Sequence, residues 1–424
     1  MLYKKRIADT LLKEQLEAAG AVLIQGPKWC GKTTTAEQIA GSKIYMNAPD
    51  RQNEFRMLVD TNIQRLLGGE TPRLIDEWQL YPKLWDAVRY EVDHREVRQG
   101  QFVLTGSAVP VQTDLIRHTG TGRFAWLKMR TMSLWESGES NGGVSLGGLF
   151  KGLPPDADAD ADSIDELSRL VCRGGWPESV GKKEKAALRQ AYNYTDAIAE
   201  SDISRVDGVR RDAAFARRLL RSYARHQGAA VPISQLYADI NSNEGNSLSE
   251  ATIEGYLRVL RQIFVIEDMP AWNPNLRSRS AIRMSETRYF TDPSIAVAAL
   301  GIGPDDLLND VSTFGLLFET MAVRDLLVYA ESLDGSLFHF RDRTGLECDA
   351  VVHLRNGSYG LIEIKLGGEH LIDEGAASLK KLASLVDTSK MPEPSFMMVL
   401  TGVGKYAYRR PDGVDVVPIR CLKP

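Results

Sequence analysis

The sequence predicts an α/β protein in three parts: an N-terminal parallel sheet packed between helices, a helical middle segment, and a second α/β domain at the C-terminal end. Three observations favour this. The apolar run Ala21–Ile24 leads through a glycine-rich loop into a helix-compatible segment that stops at Gly41. Apolar side chains recur at helical spacing through much of residues 166–305, and residues 361–365 alternate as a strand does. A chain of 424 residues is long enough for two to four domains.

The composition, with 43% hydrophobic and 25% charged residues, is ordinary for a soluble globular protein. A net charge of −4 argues against a protein that coats nucleic acid over its whole surface, but permits a local basic groove. The cysteines at 30, 172, 348 and 421 lack metal-ligand spacing, which indicates a reduced, cytoplasmic protein. We expect neither a signal peptide nor a membrane span, because no apolar run approaches the necessary length.

The glycine-rich loop carries the phosphate-binding pattern G-x-x-x-x-G-K-T. Backbone N–H groups of such a loop, together with the N-terminus of the following helix, bind phosphates. The lysine of the pattern reaches the β- and γ-phosphates, and its threonine holds Mg²⁺. The residues predicted to contact ATP are Gly26, Pro27, Lys28, Trp29, Cys30, Gly31, Lys32, Thr33 and Thr34, with Lys32 also catalytic and Thr33 also a metal ligand.

The run Arg73–Glu77, about forty residues beyond the loop, consists of apolar residues that end in two acids. Alone, such a run indicates no more than a strand with solvated acids at its end. After a phosphate-binding loop, it predicts that Asp76 completes Mg²⁺ coordination with Thr33. Glu77 is then the base that orients and polarises the attacking water.

The next apolar strand, 101–104, ends in Thr105-Gly106-Ser107. A small polar group at this point can sense the γ-phosphate, and we favour Ser107 over Thr105, with a turn serine as the alternative. Arg123 follows a glycine-rich turn and is a candidate arginine finger for the nucleotide of a neighbouring subunit, which implies a homo-oligomer. An ordinary surface arginine is the alternative.

These features together resemble the AAA-type ATPases over roughly residues 18–137. The resemblance implies a parallel sheet between helices, with ATP and Mg²⁺ bound at the carboxyl ends of the strands. We take residues 1–137 as the P-loop AAA-type ATPase domain.

Residues 138–165 are rich in glycine and then acidic, which predicts a solvated linker. The middle domain, 166–305, contains the turn Arg173–Glu178 and a basic helix predicted over 205–225. The arginines of that helix suit either phosphate contacts or a solvated face.

A short helix from residue 231, a second helix from Ser249 and a basic hairpin predict a winged helix-turn-helix. The residues expected to face DNA are Thr252, Glu254 and Arg258 of the second helix and Arg277 and Arg279 of the hairpin. Winged helices also dock proteins, and the sequence leaves both partners open.

A second chemical pattern lies in residues 306–424. Glu319 falls on a predicted helix, Asp349 on a strand, and Glu363 and Lys365 on one face of the following strand. Two carboxylates and a lysine suit metal-dependent phosphodiester cleavage. Asp349 and Glu363 are the predicted ligands of Mg²⁺ or Mn²⁺, and Lys365 and Glu319 are predicted catalytic residues. The set resembles the PD-(D/E)XK nuclease fold, many members of which have become binding domains.

The hairpin between these strands must place all three groups on one side. A two-residue turn at Asn356-Gly357 would set Asp349 opposite Ile364 and turn it away. We therefore expect a three-residue loop, 356–358, that pairs Asp349 with Lys365, or else a bulge near Asp349.

The modules together resemble a widespread prokaryotic family in which an AAA-type ATPase precedes a C-terminal part of unknown function. The leading interpretation is an ATP-hydrolysing, Mg²⁺-dependent ATPase coupled to a DNA-binding, nuclease-like module. The alternative is an ATP-driven switch that docks a protein partner, with an inactive nuclease-like domain.

Overall fold

The computed structural model describes residues 3–106, 120–159, 163–206, 208–241, 249–273 and 285–424. The chain divides into two compact units. The first comprises Met1–Thr131, Asp202–Arg211 and Val259–Phe264, and the second comprises Met132–Ser201, Asp212–Arg258 and Val265–Pro424. In the described part of the chain, no helix is both long enough and apolar enough to cross a membrane.

Five parallel strands form the sheet of the first unit, in the order β2-β3-β4-β1-β5. They are β1 (Ala21–Gln25), β2 (Ser42–Tyr45), β3 (Arg73–Asp76), β4 (Phe102–Thr105) and β5 (Phe124–Lys128). The helices of this region are α1 (Ile7–Ala18), α2 (Lys32–Glu37), α3 (Gln52–Thr61), α4 (Gln64–Leu67) and α5 (Lys83–His94). The predicted parallel sheet is confirmed.

The sheet is buried on both faces, as an all-parallel sheet requires. Val22 and Ile24 of β1 belong to an apolar cluster with Leu12 of α1. Ala21 and Leu23, which alternate with them, belong to a separate cluster on the other face. The apolar run is therefore explained by helices that cover both sides of β1.

The later helices begin with α6 (Leu134–Ser137), α7 (Leu146–Phe150), α8 (Ile164–Arg173), α9 (Glu184–Ala197), α10 (Ile203–Arg205) and α11 (Ala213–Arg225). They continue with α12 (Ile233–Asn241), α13 (Glu250–Gln262), α14 (Pro293–Leu300), α15 (Pro304–Asn309), α16 (Val311–Glu331) and α17 (Glu369–Leu385). The predicted helical middle segment is thus present, but the single helix expected over 205–225 is interrupted between α10 and α11.

A hairpin follows α13, because Ile266 pairs with Phe290 and Met269 with Thr287 in antiparallel bridges. The order helix, helix, hairpin is the one predicted for a winged helix. Glu254 and Arg258 of α13 are exposed and Thr252 is half-buried. Arg277 and Arg279 lie outside the described residues, so the proposed DNA-facing wing stays a prediction.

Seven strands form a mixed sheet in the second unit, in the order β7-β12-β13-β11-β10-β9-β8. They are β7 (Ala157–Asp158), β8 (Gly335–Arg341), β9 (Glu347–Leu354), β10 (Tyr359–Lys365), β11 (Phe396–Thr401), β12 (Tyr406–Arg409) and β13 (Asp415–Pro418). Leu379 and Leu382 of α17 pack with Leu361 and Val399 in the apolar cluster of this sheet. Helix α17 therefore covers the face of the sheet that carries Leu361 and, by strand alternation, Glu363 and Lys365 of β10.

Described parts of the region predicted as a solvated linker form short strands and helices within the second unit. Strand β6 (Val144–Ser145) pairs with β14 (Leu422–Lys423), and β7 pairs with β12. Val144, Leu146 and Leu149 are buried. The linker prediction is wrong for these residues, because short apolar segments find partners far away in sequence.

The turn Arg173–Glu178 is the centre of a buried polar network. The Gly175 N–H donates to Asp292 Oδ2 at 2.8 Å, and Trp176 Nε1 donates to Ser294 Oγ at 2.8 Å. Arg324 reaches Asp292 Oδ2 at 3.2 Å, and it also pairs with the adjacent Asp325 at 2.7 Å. Because buried charges are costly unless they are paired and hydrogen-bonded, this network fixes the turn against α14 and α16.

Gly175 has no room for a side chain. A Cβ atom there would lie 2.1 Å from the Met132 carbonyl oxygen and 2.8 Å from Arg324 Nη1. We expect Gly175→Ala to destabilise the second unit by roughly 2–4 kcal/mol, because backbone and a buried ion pair must move. Gly255→Ala, on helix α13 where nothing lies within 4 Å, is the matched control. It should leave the Tm unchanged or raise it, and equal Tm values for the two variants would contradict this account of the turn.

Candidate functional site

The phosphate-binding loop is shaped by three residues in unusual backbone conformations. Gly26 and Gly31 have φ values of 157° and 101°, and Trp29 has φ 66° although it carries a bulky side chain. A Cβ atom on Gly26 would lie 2.0 Å from the Met129 carbonyl oxygen. The pattern therefore needs its first glycine for close backbone approach and its second for the left-handed turn into α2.

Polar contacts hold the loop in place. Lys32 is buried, and its Nζ donates to the carbonyl oxygens of Gly26 and Pro27 at 2.9 and 2.8 Å. Arg6 donates to the carbonyl of Cys30 at 2.9 Å. Lys28 is half-buried and ion-paired, whereas Trp29 and Thr34 are exposed. The loop thus has a fixed backbone and an ammonium group at its centre.

The strand order brings the predicted metal ligands together. The loop follows β1, Asp76 ends β3, and β4 lies between these two strands. Thr33 Oγ1 donates to Asp76 Oδ1 at 2.8 Å. Thr105, at the end of β4, donates to the same carboxylate oxygen. A hydroxyl and a carboxylate at the carboxyl edge of a parallel sheet offer the oxygen ligands that Mg²⁺ prefers.

Glu77 leaves the strand in a left-handed conformation, with φ 55°. Its carboxylate accepts a hydrogen bond from Gln79 Nε2. A non-glycine residue in this conformation is uncommon and occurs often at functional sites. The chain therefore turns out of the strand direction at Glu77, directly after Asp76.

Two further sequence predictions have different outcomes. Ser107 lies outside the described residues, whereas Thr105, the less favoured candidate, contacts Asp76 directly.

Arg123 precedes β5 and therefore lies at the amino edge of the sheet, opposite the loop. Its guanidinium pairs with Asp93 at 2.9 and 3.3 Å. A finger role toward a neighbouring subunit stays a prediction and would require this pair to open.

The second set of predicted residues assembles at β9 and β10. Lys365 Nζ lies 2.6 Å from Glu363 Oε2 and 3.2 Å from Asp349 Oδ2. Asp349 Oδ2 also accepts from the Ile364 N–H at 2.7 Å. The groups line a cavity of about 310 Å³ that includes Ser378 and Lys381 of α17. Asp349, Glu363 and Lys365 therefore share one side of the sheet, as the hairpin argument required.

The pairing that achieves this differs from the predicted one. Tyr359 pairs with His353 and Ile362 with Ala350. Continued by one residue, that register sets Asp349 opposite Glu363 rather than Lys365. The loop has three residues, but they are 355–357, since Leu354 N–H donates to the Ser358 carbonyl at 2.9 Å. The predicted partner is wrong by two positions, and a shift of two preserves the face.

Glu319 lies on α16 beside this cluster. Its carboxylate accepts a hydrogen bond from the Tyr289 hydroxyl. Glu319 and Asp349 both line a small cavity of about 30 Å³, together with Gly228. A side chain at Gly228 would meet the Glu319 carboxylate at 2.8 Å. Tyr289 is a site residue that the sequence pattern did not indicate.

Burial dominates the electrostatics of this cluster. Burial and the Asp349 carboxylate raise the pKa of Glu319 to about 8 against the opposing Tyr289 hydrogen bond. The same two causes raise the pKa of Glu363, and the Lys365 ammonium opposes that rise. Burial lowers the pKa of Lys365, but the two carboxylates outweigh it and raise the pKa, so the ammonium stays charged.

The residues present suit a metal ion with few protein ligands. Among the residues that the structure describes, no group of three His, Cys, Asp or Glu side chains is arranged to hold a metal ion. Asp349 and Glu363 therefore offer a pair of carboxylates. Mg²⁺ is commonly bound by one or two carboxylates, with water and phosphate oxygens as its other ligands.

Three family models match consecutive segments of the chain. Residues 18–137 match an AAA domain. Residues 164–306 match a domain of unknown function (DUF8612), and residues 314–422 match a second one (DUF4143). The chain thus carries an AAA-type ATPase domain, followed by two domains to which the matches give no function.

The chain is homologous to the uncharacterized protein Rv2008c of Mycobacterium tuberculosis. The two are 26% identical over 373 residues, which are 86% of this chain and 74% of that protein. The uncharacterized protein Mb2031c of Mycobacterium bovis matches with the same identity and coverage. The sequence similarity to these relatives therefore reaches beyond the ATPase domain into the later domains.

Solved structures resemble the chain only distantly. The Walker-type ATPase paby2304 of Pyrococcus abyssi aligns with a TM-score of 0.43 and 14% identity, over 70% of this chain and 96% of that chain. The ORC2 protein of Aeropyrum pernix aligns with a TM-score of 0.28 and 14% identity, over 72% and 92%. With scores below 0.5, neither likeness bears on function. The winged-helix and nuclease-like interpretations stay predictions.

The raised pKa of Glu319 makes stability depend on pH. Between about pH 4.5 and pH 8 the unfolded chain releases a proton that the folded chain keeps. The free energy of unfolding should therefore fall as pH rises through this window. We expect Glu319→Gln to raise the Tm at pH 9 and to change it little at pH 5.

Glu374→Gln is the control, because this glutamate on α17 is exposed. Its Tm should follow the wild-type pH profile. A Glu319→Gln profile parallel to that of the wild type would contradict the burial of a protonated carboxyl.

Proposed function

We propose that the protein is a Mg²⁺-dependent ATPase whose N-terminal unit binds and hydrolyses ATP, and that its C-terminal module acts on nucleic acid. The hydrogen bond from Thr33 to Asp76, 2.8 Å long, carries the ATPase proposal. It joins the helix start after the phosphate-binding loop to the end of β3, so that the two expected metal ligands share one position. The AAA domain match over residues 18–137 supports the same assignment.

Each residue of the site has a distinct task in this proposal. The loop backbone and Lys32 bind the phosphates and offset their charge. Thr33 and Asp76 would hold Mg²⁺, which would supply positive charge against the negative charge that develops on the phosphates. Glu77, aimed away from Asp76 by its left-handed backbone, orients the attacking water. Thr105 holds the Asp76 carboxylate in place.

Two substitutions separate binding from hydrolysis. We expect Lys32→Ala to abolish ATP turnover, because it removes the charge at the β- and γ-phosphates. Glu77→Gln should bind ATP with near wild-type affinity and hydrolyse it at least about 100-fold more slowly, the scale of a lost general base. Phosphate release and equilibrium binding of a fluorescent ATP analogue measure the two effects.

Glu70→Gln, which neutralises an exposed carboxylate of the same unit, is the matched control and should behave as the wild type. Fast hydrolysis by Glu77→Gln would remove Glu77 from the role of base. Wild-type-like turnover by Lys32→Ala would overturn the ATPase site itself.

For the C-terminal site, we propose metal-dependent cleavage of a nucleic-acid backbone. The supporting observation is that Asp349, Glu363 and Lys365 lie together in a cavity of about 310 Å³. The carboxylates would hold Mg²⁺ or Mn²⁺, and Lys365 would stabilise the attacking hydroxide or the developing charge. Lys381 adds a second cation to the cavity lining.

DNA is the proposed substrate of this site, and the exposed face of α11 supports a polyanionic partner. Arg217, Arg218, Arg221 and Arg225 are all exposed along that helix. Arg217 pairs with Glu200 at 2.6 Å and Arg225 with Asp239 at 3.7 Å, so carboxylates offset part of the positive charge of this face. Phosphate contacts by such a face bind without sequence preference and weaken with salt.

The cleavage proposal predicts loss of activity from single charge changes. Wild-type protein with Mn²⁺ should cleave DNA, whereas Asp349→Asn and Lys365→Ala should each reduce the rate by about 100-fold or more. Isothermal titration should show Mn²⁺ binding by this site that Asp349→Asn weakens. Lys380→Ala, which removes a neighbouring α17 lysine paired with Asp412, is the control and should keep both properties.

The alternative is an ATP-driven switch that docks a protein partner and has an inert C-terminal site. The ion pairs of Lys365 with both carboxylates favour it, because a cation of the protein already contacts the two groups that would hold a metal ion. If the wild type neither binds Mn²⁺ at this site nor cleaves DNA, the protein-docking switch is the supported function.

A further inference from the structure

Within the first unit, an ion pair joins the phosphate-binding loop to a distant part of the chain. Lys28 Nζ lies 2.5 Å from Asp202 Oδ1. The side chain of Lys28 is 38% exposed, and that of Asp202 is only 10% exposed. Exposed ion pairs are commonly worth little, but here one partner is nearly buried and the other lies between the two glycines of the loop.

Asp202 stands at a break in regular structure. It is the last residue of a five-residue π-helical turn, Ile198–Asp202. Such turns are rare and occur frequently at functional sites. Asp202 also opens the segment Asp202–Arg211, which groups with the first unit although the residues before and after it belong to the second. We call Asp202–Arg211 the inserted segment.

The inserted segment is closed by its own contacts. The Arg211 N–H donates to Ser204 Oγ at 2.9 Å, and Arg211 Nη1 donates to the Ile203 carbonyl at 2.9 Å. Ile203 and Val206 are buried. These hydrogen bonds tie Arg211, the last residue of the inserted segment, to the two residues that follow Asp202.

Asp202 places a carboxylate beside the phosphate-binding loop. Its carboxylate is in contact with the end of the Lys28 side chain, and so lies within one lysine length of the loop backbone. An anion there repels phosphates and also holds an ammonium group that phosphates would otherwise attract.

We propose that Lys28 and Asp202 form a nucleotide-sensitive latch. ATP in the loop competes with Asp202 for the Lys28 ammonium and repels the carboxylate, which releases the inserted segment from the loop. Ser201 and Asp212 flank the inserted segment and belong to the second unit. Release of the segment therefore transmits the presence of bound ATP to the second unit through the chain. This latch rests on the proposed ATPase function and adds its regulation.

The first test measures ATP affinity. Asp202→Asn should bind ATP about five-fold or more tightly than the wild type, because the competing anion is gone, whereas Asp202→Glu should remain near the wild type. Lys28→Met should bind more weakly, and in its background Asp202→Asn should give a smaller gain. Asp60→Asn is the matched control, since it breaks another ion pair of the first unit, Lys83 to Asp60 at 2.7 Å.

The second test needs no substitution. Backbone amides of the inserted segment should exchange hydrogen faster when ATP and Mg²⁺ are bound to the wild type, and Asp202→Asn should show that faster exchange without ATP. Exchange unchanged by ATP would overturn the latch even if Asp202→Asn failed to fold.

The two proposals fail in different ways. Wild-type protein that binds no ATP would overturn both the ATPase function and the latch. Wild-type protein that binds ATP, with Asp202→Asn and Asp60→Asn indistinguishable from it in affinity, would overturn the latch alone.

Discussion

The N-terminal site depends on one hydrogen bond, from Thr33 to Asp76. It can form only because β4 alone separates β1 from β3 in the sheet, so that the carboxyl ends of three parallel strands converge. Thr105 at the end of β4 completes the arrangement by donating to the same carboxylate. Strand order, rather than any local feature of these residues, therefore brings a loop, a carboxylate and a hydroxyl to one point.

The C-terminal site depends on a comparable constraint in an antiparallel hairpin. There the register between β9 and β10 decides whether Asp349 faces Glu363 and Lys365 or the opposite side. The result is a lysine between two carboxylates that stays charged, beside a glutamate whose pKa is raised by burial. The lysine offsets part of the negative charge of the two carboxylates, and the proposed cleavage and the alternative of inert docking differ in whether a metal ion joins them.

Local chemistry could be predicted from the sequence, and non-local pairing could not. The loop Gly26–Thr33 and the run that ends in Asp76 are contiguous patterns, so the sheet and its phosphate-binding edge followed from them. The contact between Thr105 and Asp76 depends on the pairing of β4 with the neighbouring strand β3, whereas the sequence pattern favoured Ser107 instead. At the second hairpin, Asn356-Gly357 indicated a turn but did not fix which residues pair. The ordered strands within 138–165 went unpredicted because their partners lie near residues 406 and 422.

We propose that Thr33 and Asp76 together form the metal-binding part of an ATP site. The most direct measurement is the affinity for ATP with Mg²⁺ and with excess chelator, in the wild type and in Asp76→Asn. The account predicts that Mg²⁺ tightens ATP binding to the wild type by about ten-fold or more, and that Asp76→Asn loses most of this gain while it still binds metal-free ATP. An equal effect of Mg²⁺ in both proteins would contradict it.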